Sequence, residues 1–195
     1  SSASFIIAAA ILIKDSDITI KNICINPFRM GFIRAVQKMG ANIKLINKKI
    51  LNGEKVADIN IKYSNNLIGI KIHKKDVPSL IDEIPILSFI ANYASSKTLI
   101  EGVEELEVKE SNRIESIIQN IKKMGGNISY NDNALKIEPK RLHSTPINSY
   151  GDHRIYMTFY IANMVLDGLD KYNSKDKVYE KSFPNFINVV EKIFV

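Results

Sequence analysis

Cysteine is almost missing from this chain: Cys24 stands alone among 195 residues. That excludes an intramolecular disulfide and a multi-cysteine zinc site, and it points to a reducing, cytoplasmic setting. Histidine is scarce as well, and His73, His143 and His153 lack the close spacing of metal ligands, so no metal and no cofactor are expected. The apolar opening Ser1–Ile13 has no basic segment before it and is too short to cross a bilayer. It therefore reads as a buried helix rather than a signal peptide or a membrane span. The net charge of +6 comes without an aromatic-interleaved basic stripe or an RNP-like run. The Lys-rich segments are also rich in Ile and Asn, a chain-wide bias rather than a nucleic-acid surface. An initiator Met is lacking too, and the abrupt start inside a helical pattern carries the expectation of further sequence upstream.

What is present is the makeup of one globular domain, with 45% hydrophobic and 25% charged residues, enough to bury a core. Three runs are apolar nearly all round: SFIIAAAILI, IPILSFIANYA and IYMTFYIANMV. Each follows a polar entry, at Ser1-Ser2, Asp82-Glu83 and Asp152-His153-Arg154. A helix without a polar face is buried on all sides, so these three belong inside the domain with sheet around them. After the first two come β-branched runs at Asp17–Ile23 and Lys97–Val103. A turn bearing Arg29, Lys109 or Lys181 then leads in each unit to an amphipathic helix, with Pro184 in the first turn of the last one. Met39-Gly40 and Met124-Gly125 end two of these helices, with glycine as the left-handed cap. Strands follow at Asn42–Ile46 and Asn127–Tyr130, with partners near Ala57–Lys62, Ile68–Ile72 and Ala134–Glu138.

The pattern is a helix–strand–helix–strands unit repeated with a long period. It predicts an α/β, pseudo-threefold, inside-out domain spanning 1–195, with approximate repeats 1–81, 82–151 and 152–195. The last is incomplete, so strands from elsewhere would have to complete it. If the buried helices run parallel, their N-termini gather on one face, where unpaired N–H groups and positive dipole ends welcome anions. Site candidates are then Asp82, Glu83, the run from Lys109 to Arg113, and Gly151 to Arg154. Glu110 and Lys109 stand three and four residues before Arg113, spacing that would put them on one side of a helix's first turn. Cations there oppose the dipole, which a bound anion would offset. Each feature has a plainer reading. Asp82 serves as an N-cap ahead of Pro85, Gly151-Asp152 as a turn and cap, His153 as a structural hydrogen-bonder, and Lys181 as a surface lysine.

SSASF at Ser1–Phe5, NPFRMG at Asn26–Gly31, DEIP at Asp82–Pro85, VKESNRI at Val108–Ile114, YGDHRI at Tyr150–Ile155 and KSFPNF at Lys181–Phe186 occur in this order along nearly the whole chain. Together they resemble the C-terminal half of the EPSP synthase (3-phosphoshikimate 1-carboxyvinyltransferase) family. The resemblance implies one of two lobes, each built of three βαβαββ units with buried parallel helices. It implies transfer of the enolpyruvyl group of phosphoenolpyruvate to the 5-hydroxyl of shikimate 3-phosphate, with release of phosphate, in aromatic amino acid biosynthesis. Asp82 would bind the shikimate hydroxyls and take the proton of the attacking one, and Glu110 would handle the proton at the methylene carbon. Arg113, Arg154 and Lys181 would clamp phosphoenolpyruvate, while Lys109 and Glu105 would face shikimate 3-phosphate. Asn112 departs from the family's usual aspartate. The N-terminal lobe would be the missing partner, leaving this chain inactive alone. A UDP-N-acetylglucosamine enolpyruvyl transferase, a nucleic-acid-binding module and an inactive structural relic are the competing readings. The lone Cys24 does not match the reactive-cysteine loop of the first.

Overall fold

The structure is a computed structural model that describes residues 2–167 and 176–194. Of the first helix entry, Ser1 lies outside the described residues. Within them the chain runs α1 (Ala3–Leu12), β1 (Asp17–Cys24), α2 (Gly31–Lys38), β2 (Asn42–Leu51), β3 (Glu54–Lys62), β4 (Lys71–Ile72), α3 (Ile84–Ile90), β5 (Thr98–Glu101), α4 (Arg113–Lys123), β6 (Asn127–Asn131), β7 (Ala134–Glu138), α5 (His153–Asp167) and α6 (Phe186–Phe194). Short 3-10 turns lead into several of the helices.

The three apolar runs do form the centre. Nine residues of α1 and all seven of α3 are buried, and so is every residue of α5 from Ile155 to Met164. The three helices pack against one another. Each fully buried Ile, Leu or Phe contributes roughly 1.5–3 kcal/mol of transfer free energy, and Ile11, Leu87, Phe89 and Ile161 are wholly sealed. By contrast α2 and α4 bury one stripe and expose Arg34, Gln37 and Lys38, or Glu115, Gln119, Lys122 and Lys123, as surface helices do. Both end as their sequence predicts. Gly40 and Gly125 take φ of +94° and +88°. Ala41 N and Gly126 N reach back to the carbonyls of Val36 and Ile121, closing Schellman caps.

The sheets carry the repeat in their wiring. In the first, β3 lies between β1 and β2, antiparallel to both; in the second, β7 lies between β5 and β6 in the same way. Corresponding strands therefore occupy corresponding places. Ile59 and Ile61 of β3 are flanked by Ile20 and Ile18 on one side and Leu45 and Ile43 on the other. Leu135 and Ile137 of β7 meet Ile100 and Thr98 on one side and Tyr130 and Ile128 on the other. Alternation places one face of each sheet on the helices. Bulges interrupt β1 between Ile20 and Ile23, and β2 between Ile46 and Lys49. At each an asparagine, Asn22 or Asn47, adopts positive φ. Asp58 on the central strand holds both, accepting from Asn22 N and Asn47 Nδ2 at 2.9 Å each.

Several boundaries differ from those read off the sequence. β2 runs to Leu51 rather than Ile46, because the polar run Asn47-Lys48-Lys49 at the bulge interrupts the apolar alternation before the exposed Ile50 and Leu51. The Ile68–Ile72 segment narrows to β4. It pairs parallel with β5, Ile72 beside Ile100, instead of joining the strand at Asn42. Its approach is permitted by Gly69, whose backbone lies so close to Lys97 that an added Cβ would come within 2.1 Å of that carbonyl oxygen. Pro184 sits in the turn ahead of α6 rather than inside its first turn.

Candidate functional site

The N-terminal ends of α3, α4 and α5 converge, and what gathers there is ionic. The VKESNR segment is not yet helical at Lys109 and Glu110: α4 begins at Arg113, capped by Asn112, whose side chain accepts from Glu115 N at 3.0 Å. The shared first helical turn expected for Lys109, Glu110 and Arg113 is thus replaced by a pre-helical turn. Asn is a full-strength N-cap, so the departure from aspartate leaves helix initiation intact. Asp152 caps α5, its Oδ1 accepting from Arg154 N at 2.7 Å and Ile155 N at 3.4 Å. Asp82 lies in the 3-10 turn Ile81–Glu83 that enters α3 and makes no capping bond there.

Arg113 is the hub. Its side chain is 0% exposed, and it donates from Nε to Asp152 Oδ2 at 2.7 Å, from Nη1 to Asp82 Oδ1 at 3.0 Å, and from Nη2 to Glu110 Oε2. Arg154, 14% exposed, completes the cluster through Nη2 to Asp82 Oδ2 at 3.2 Å and Nη1 to the Asp82 carbonyl at 3.3 Å. A buried guanidinium is tolerable only when paired on its hydrogen-bonding edges. The cation at the start of α4, expected to be offset by a bound anion, is here offset by three carboxylates. Burial works against the charge of Arg113, but Asp152, Glu110 and Asp82 outweigh it and raise its pKa. Burial likewise works against the Asp152 carboxylate. The Arg113 guanidinium and the N–H groups of Arg154 and Ile155 outweigh it and hold that carboxyl below its usual range. Burial lowers the pKa of His153. The ring has no hydrogen-bond partner among the described residues, so its expected role as a structural hydrogen-bonder is not what the fold provides.

Of the residues read from the sequence, Asp82, Glu110, Arg113 and Arg154 are therefore brought into one network. Lys109 pairs instead with Glu105, four residues earlier, beside the cluster. Lys181 ends a 3-10 turn, exposed, with no side-chain partner among the described residues. The sequence marks Asp152 as a cap but not as a fully buried charge. A turn-and-cap motif hides the second oxygen's work, and its partner Arg113 lies 39 residues away. Two clefts adjoin Asp82 and the start of α1. One of about 290 Å³ is lined by Phe28, Arg29, Ser79, Asp82 and Glu83; the other, about 320 Å³, by Ser2, Ser4, Cys24, Arg29 and Glu83. Among the described residues no group of three His, Cys, Asp or Glu side chains is placed to share a metal ion, and no helix is long and apolar enough to cross a membrane.

A buried helix trio walled by sheets is the architecture of one half of an enolpyruvyl transferase. At the level of fold alone, the enolpyruvyl transferase NikO from Streptomyces tendae matches with a TM-score of 0.66 at 14% identity, over 98% of this chain and 42% of that one. More narrowly, the chain belongs to the EPSP synthase (3-phosphoshikimate 1-carboxyvinyltransferase) family, whose model matches residues 1–190. The 3-phosphoshikimate 1-carboxyvinyltransferase of Persephonella marina is 42% identical over 194 residues, 99% of this chain and 45% of that protein. That of a Sulfurihydrogenibium species is 43% identical over 99% and 44%. A solved EPSP synthase from Acinetobacter baumannii matches with a TM-score of 0.88 at 32% identity, over 99% and 45%. The chain thus spans a little under half the length of the relatives it matches.

Proposed function

We propose that this chain is the C-terminal lobe of an enzyme that transfers the enolpyruvyl group of phosphoenolpyruvate to the 5-hydroxyl of shikimate 3-phosphate, and that it acts only with a second lobe. The observation that carries the reading is the Arg113 network. It gathers Asp82, Glu110 and Arg154 from three separate elements in a chain whose relatives bear that activity in their names.

Asp82 takes the proton of the attacking hydroxyl as its oxygen bonds to C2 of phosphoenolpyruvate, and Glu110 delivers a proton to the methylene carbon. The resulting tetrahedral carbon carries both phosphate and carboxylate. Glu110 then takes a methyl proton back as the C–O bond to phosphate breaks, and the vinyl ether forms with phosphate released. Arg113, Arg154 and Lys181 hold the anionic groups of phosphoenolpyruvate, and preorganised cations stabilise charge without reorganisation cost. Lys109 and Glu105 face shikimate 3-phosphate. Lys181 comes from a different segment, and the second lobe supplies the other wall of the cleft, excluding water on closure. The reaction runs in the cytoplasm without a metal or cofactor.

The test is phosphate release from phosphoenolpyruvate plus shikimate 3-phosphate. Release is expected when the chain is joined to its partner lobe and absent with the chain alone; turnover by the lone chain contradicts the two-lobe reading. The same assay with UDP-N-acetylglucosamine as competing acceptor decides between the two enolpyruvyl transferases, and preference for the nucleotide sugar overturns the assignment.

A further inference from the structure

Arg113 is assigned above to hold substrate, yet no solvent reaches it: its side chain is 0% exposed, closed off by Asp152 beneath and by Asp82 and Glu110 in front. An incoming anion can touch this guanidinium only by taking the place of one of the three carboxylates. The three are not equally held. Asp152 is itself 0% exposed and anchored by two backbone N–H groups of α5. Asp82 is 40% exposed but shared between Arg113 and Arg154. Glu110 is 49% exposed, sits on the turn ahead of α4, and among the described residues pairs with Arg113 alone. It is the group with least to lose.

Charge count adds a constraint. Asp82, Glu110 and Asp152 face Arg113 and Arg154, one negative charge more than positive. Lys109 and Lys181 lie outside this hydrogen-bonded cluster, so an anion brought onto Arg113 itself meets the excess of carboxylate and favours the departure or protonation of one of them.

From this geometry we infer that phosphoenolpyruvate binds by exchange: its anionic group displaces Glu110 from Arg113, and the released Glu110 takes up a proton, becoming the acid the reaction needs. This rests on the function proposed above and adds the order of events. Substrate arrival loads the acid, because the exchange takes away the guanidinium that Glu110 serves as counter-ion. The charged and titratable groups around it are Arg113 and the neighbouring Lys109 on its own segment, with Lys109 held by Glu105 of the preceding turn, Asp82 at the entry of α3, and Asp152, His153 and Arg154 at the entry of α5. His153 and Asp82 are the rival proton acceptors.

The test is calorimetric titration of phosphoenolpyruvate into the complete two-lobe protein, with a 5-deoxy analogue of shikimate 3-phosphate present so that no turnover occurs. It is run at pH 7.5 in buffers of differing ionisation enthalpy. Phosphate monoesters are nearly fully ionised there, with a second pKa of about 6, so a proton gained belongs to the protein. Uptake of about one proton per ligand is expected by linkage, falling to none in Glu110→Gln with binding retained, and persisting in Asp82→Asn. Binding without uptake in the unaltered protein overturns the exchange, as does undiminished uptake in Glu110→Gln. Absence of any phosphoenolpyruvate binding sinks the enolpyruvyl reading itself and the exchange with it.

Discussion

Replacing Asp152 separates two jobs that one carboxylate performs. Its Oδ2 neutralises Arg113 and its Oδ1 caps α5. Asparagine retains a side-chain oxygen for the cap and loses the charge; alanine loses both. Removing one partner of a buried ion pair costs about 3–5 kcal/mol because the other charge is left uncompensated. Arg113 keeps Asp82 and Glu110, which sit at 40% and 49% exposure, so the lower end, about 3 kcal/mol, applies to Asp152→Asn. Losing a cap adds about 1 kcal/mol, giving about 4 kcal/mol for Asp152→Ala. Against a typical domain stability of about 5–15 kcal/mol, both should be plain in equilibrium urea unfolding followed by circular dichroism. The pH dependence carries a sign. The Asp152 carboxyl is held below its unfolded value of 3.8, so its contribution is fully present above that value and is lost as pH falls through the folded pKa. The difference between the unaltered chain and Asp152→Asn should therefore be constant near neutrality and shrink in acid. A loss under about 1 kcal/mol for Asp152→Asn, well below the expected range, would refute the view of Asp152 as the buried counter-ion, and equal losses for both variants would refute its capping role.

Asn112→Ala should destabilise by about 1 kcal/mol through loss of the α4 cap, read as a lowered urea midpoint; an unchanged midpoint would dismiss that cap. Gly69→Ala should cost about 3 kcal/mol, the upper end for overpacking, since its Cβ would meet two backbone carbonyls at 2.1 and 2.2 Å; wild-type thermal stability would show that the approach of β4 to the chain before β5 is looser than described. The imidazole of His153 should titrate by NMR with a midpoint below 6.5, because burial lowers it. Its neutral form then favours the fold above pH 6.5, an advantage lost as pH falls through the folded pKa. A midpoint above 6.5 would mean that Asp152 and Glu110 dominate its surroundings.

How far the sequence could be read depended on whether a feature was local. α1, α3 and the Ile155–Met164 stretch of α5 are legible because, Asn163 apart, their residues are apolar, aromatic or small, and burial on all sides leaves no other pattern. The glycine stops at Gly40 and Gly125 were legible because a left-handed cap is fixed by one residue type. The far half of β2 was not, since its residues lie outside the core and periodicity carries no information there. The sites divide the same way. Glu110 and Arg113 were linked by spacing, whereas Asp82 and Asp152 join Arg113 across 31 and 39 residues, a pairing that only the packed helices create. The three carboxylates had individually unremarkable contexts. What distinguishes them is that they share one buried arginine.

The strand β4 belongs by chain order to the first unit and by hydrogen bonding to the second sheet. Units that reach forward in this way are interlocked, and the natural seam in the sequence is not a seam in the molecule. A fragment cut to begin at Asp82 would keep β5, β6 and β7 yet leave the flank of β5 bare, inviting a foreign strand onto it. Tolerance to insertion should follow the same logic. The β2–β3 tip at Gly53, with open space around it, can lengthen freely, while the stretch from Lys62 to Ile84 is a tether whose length keeps two neighbouring sheets in step.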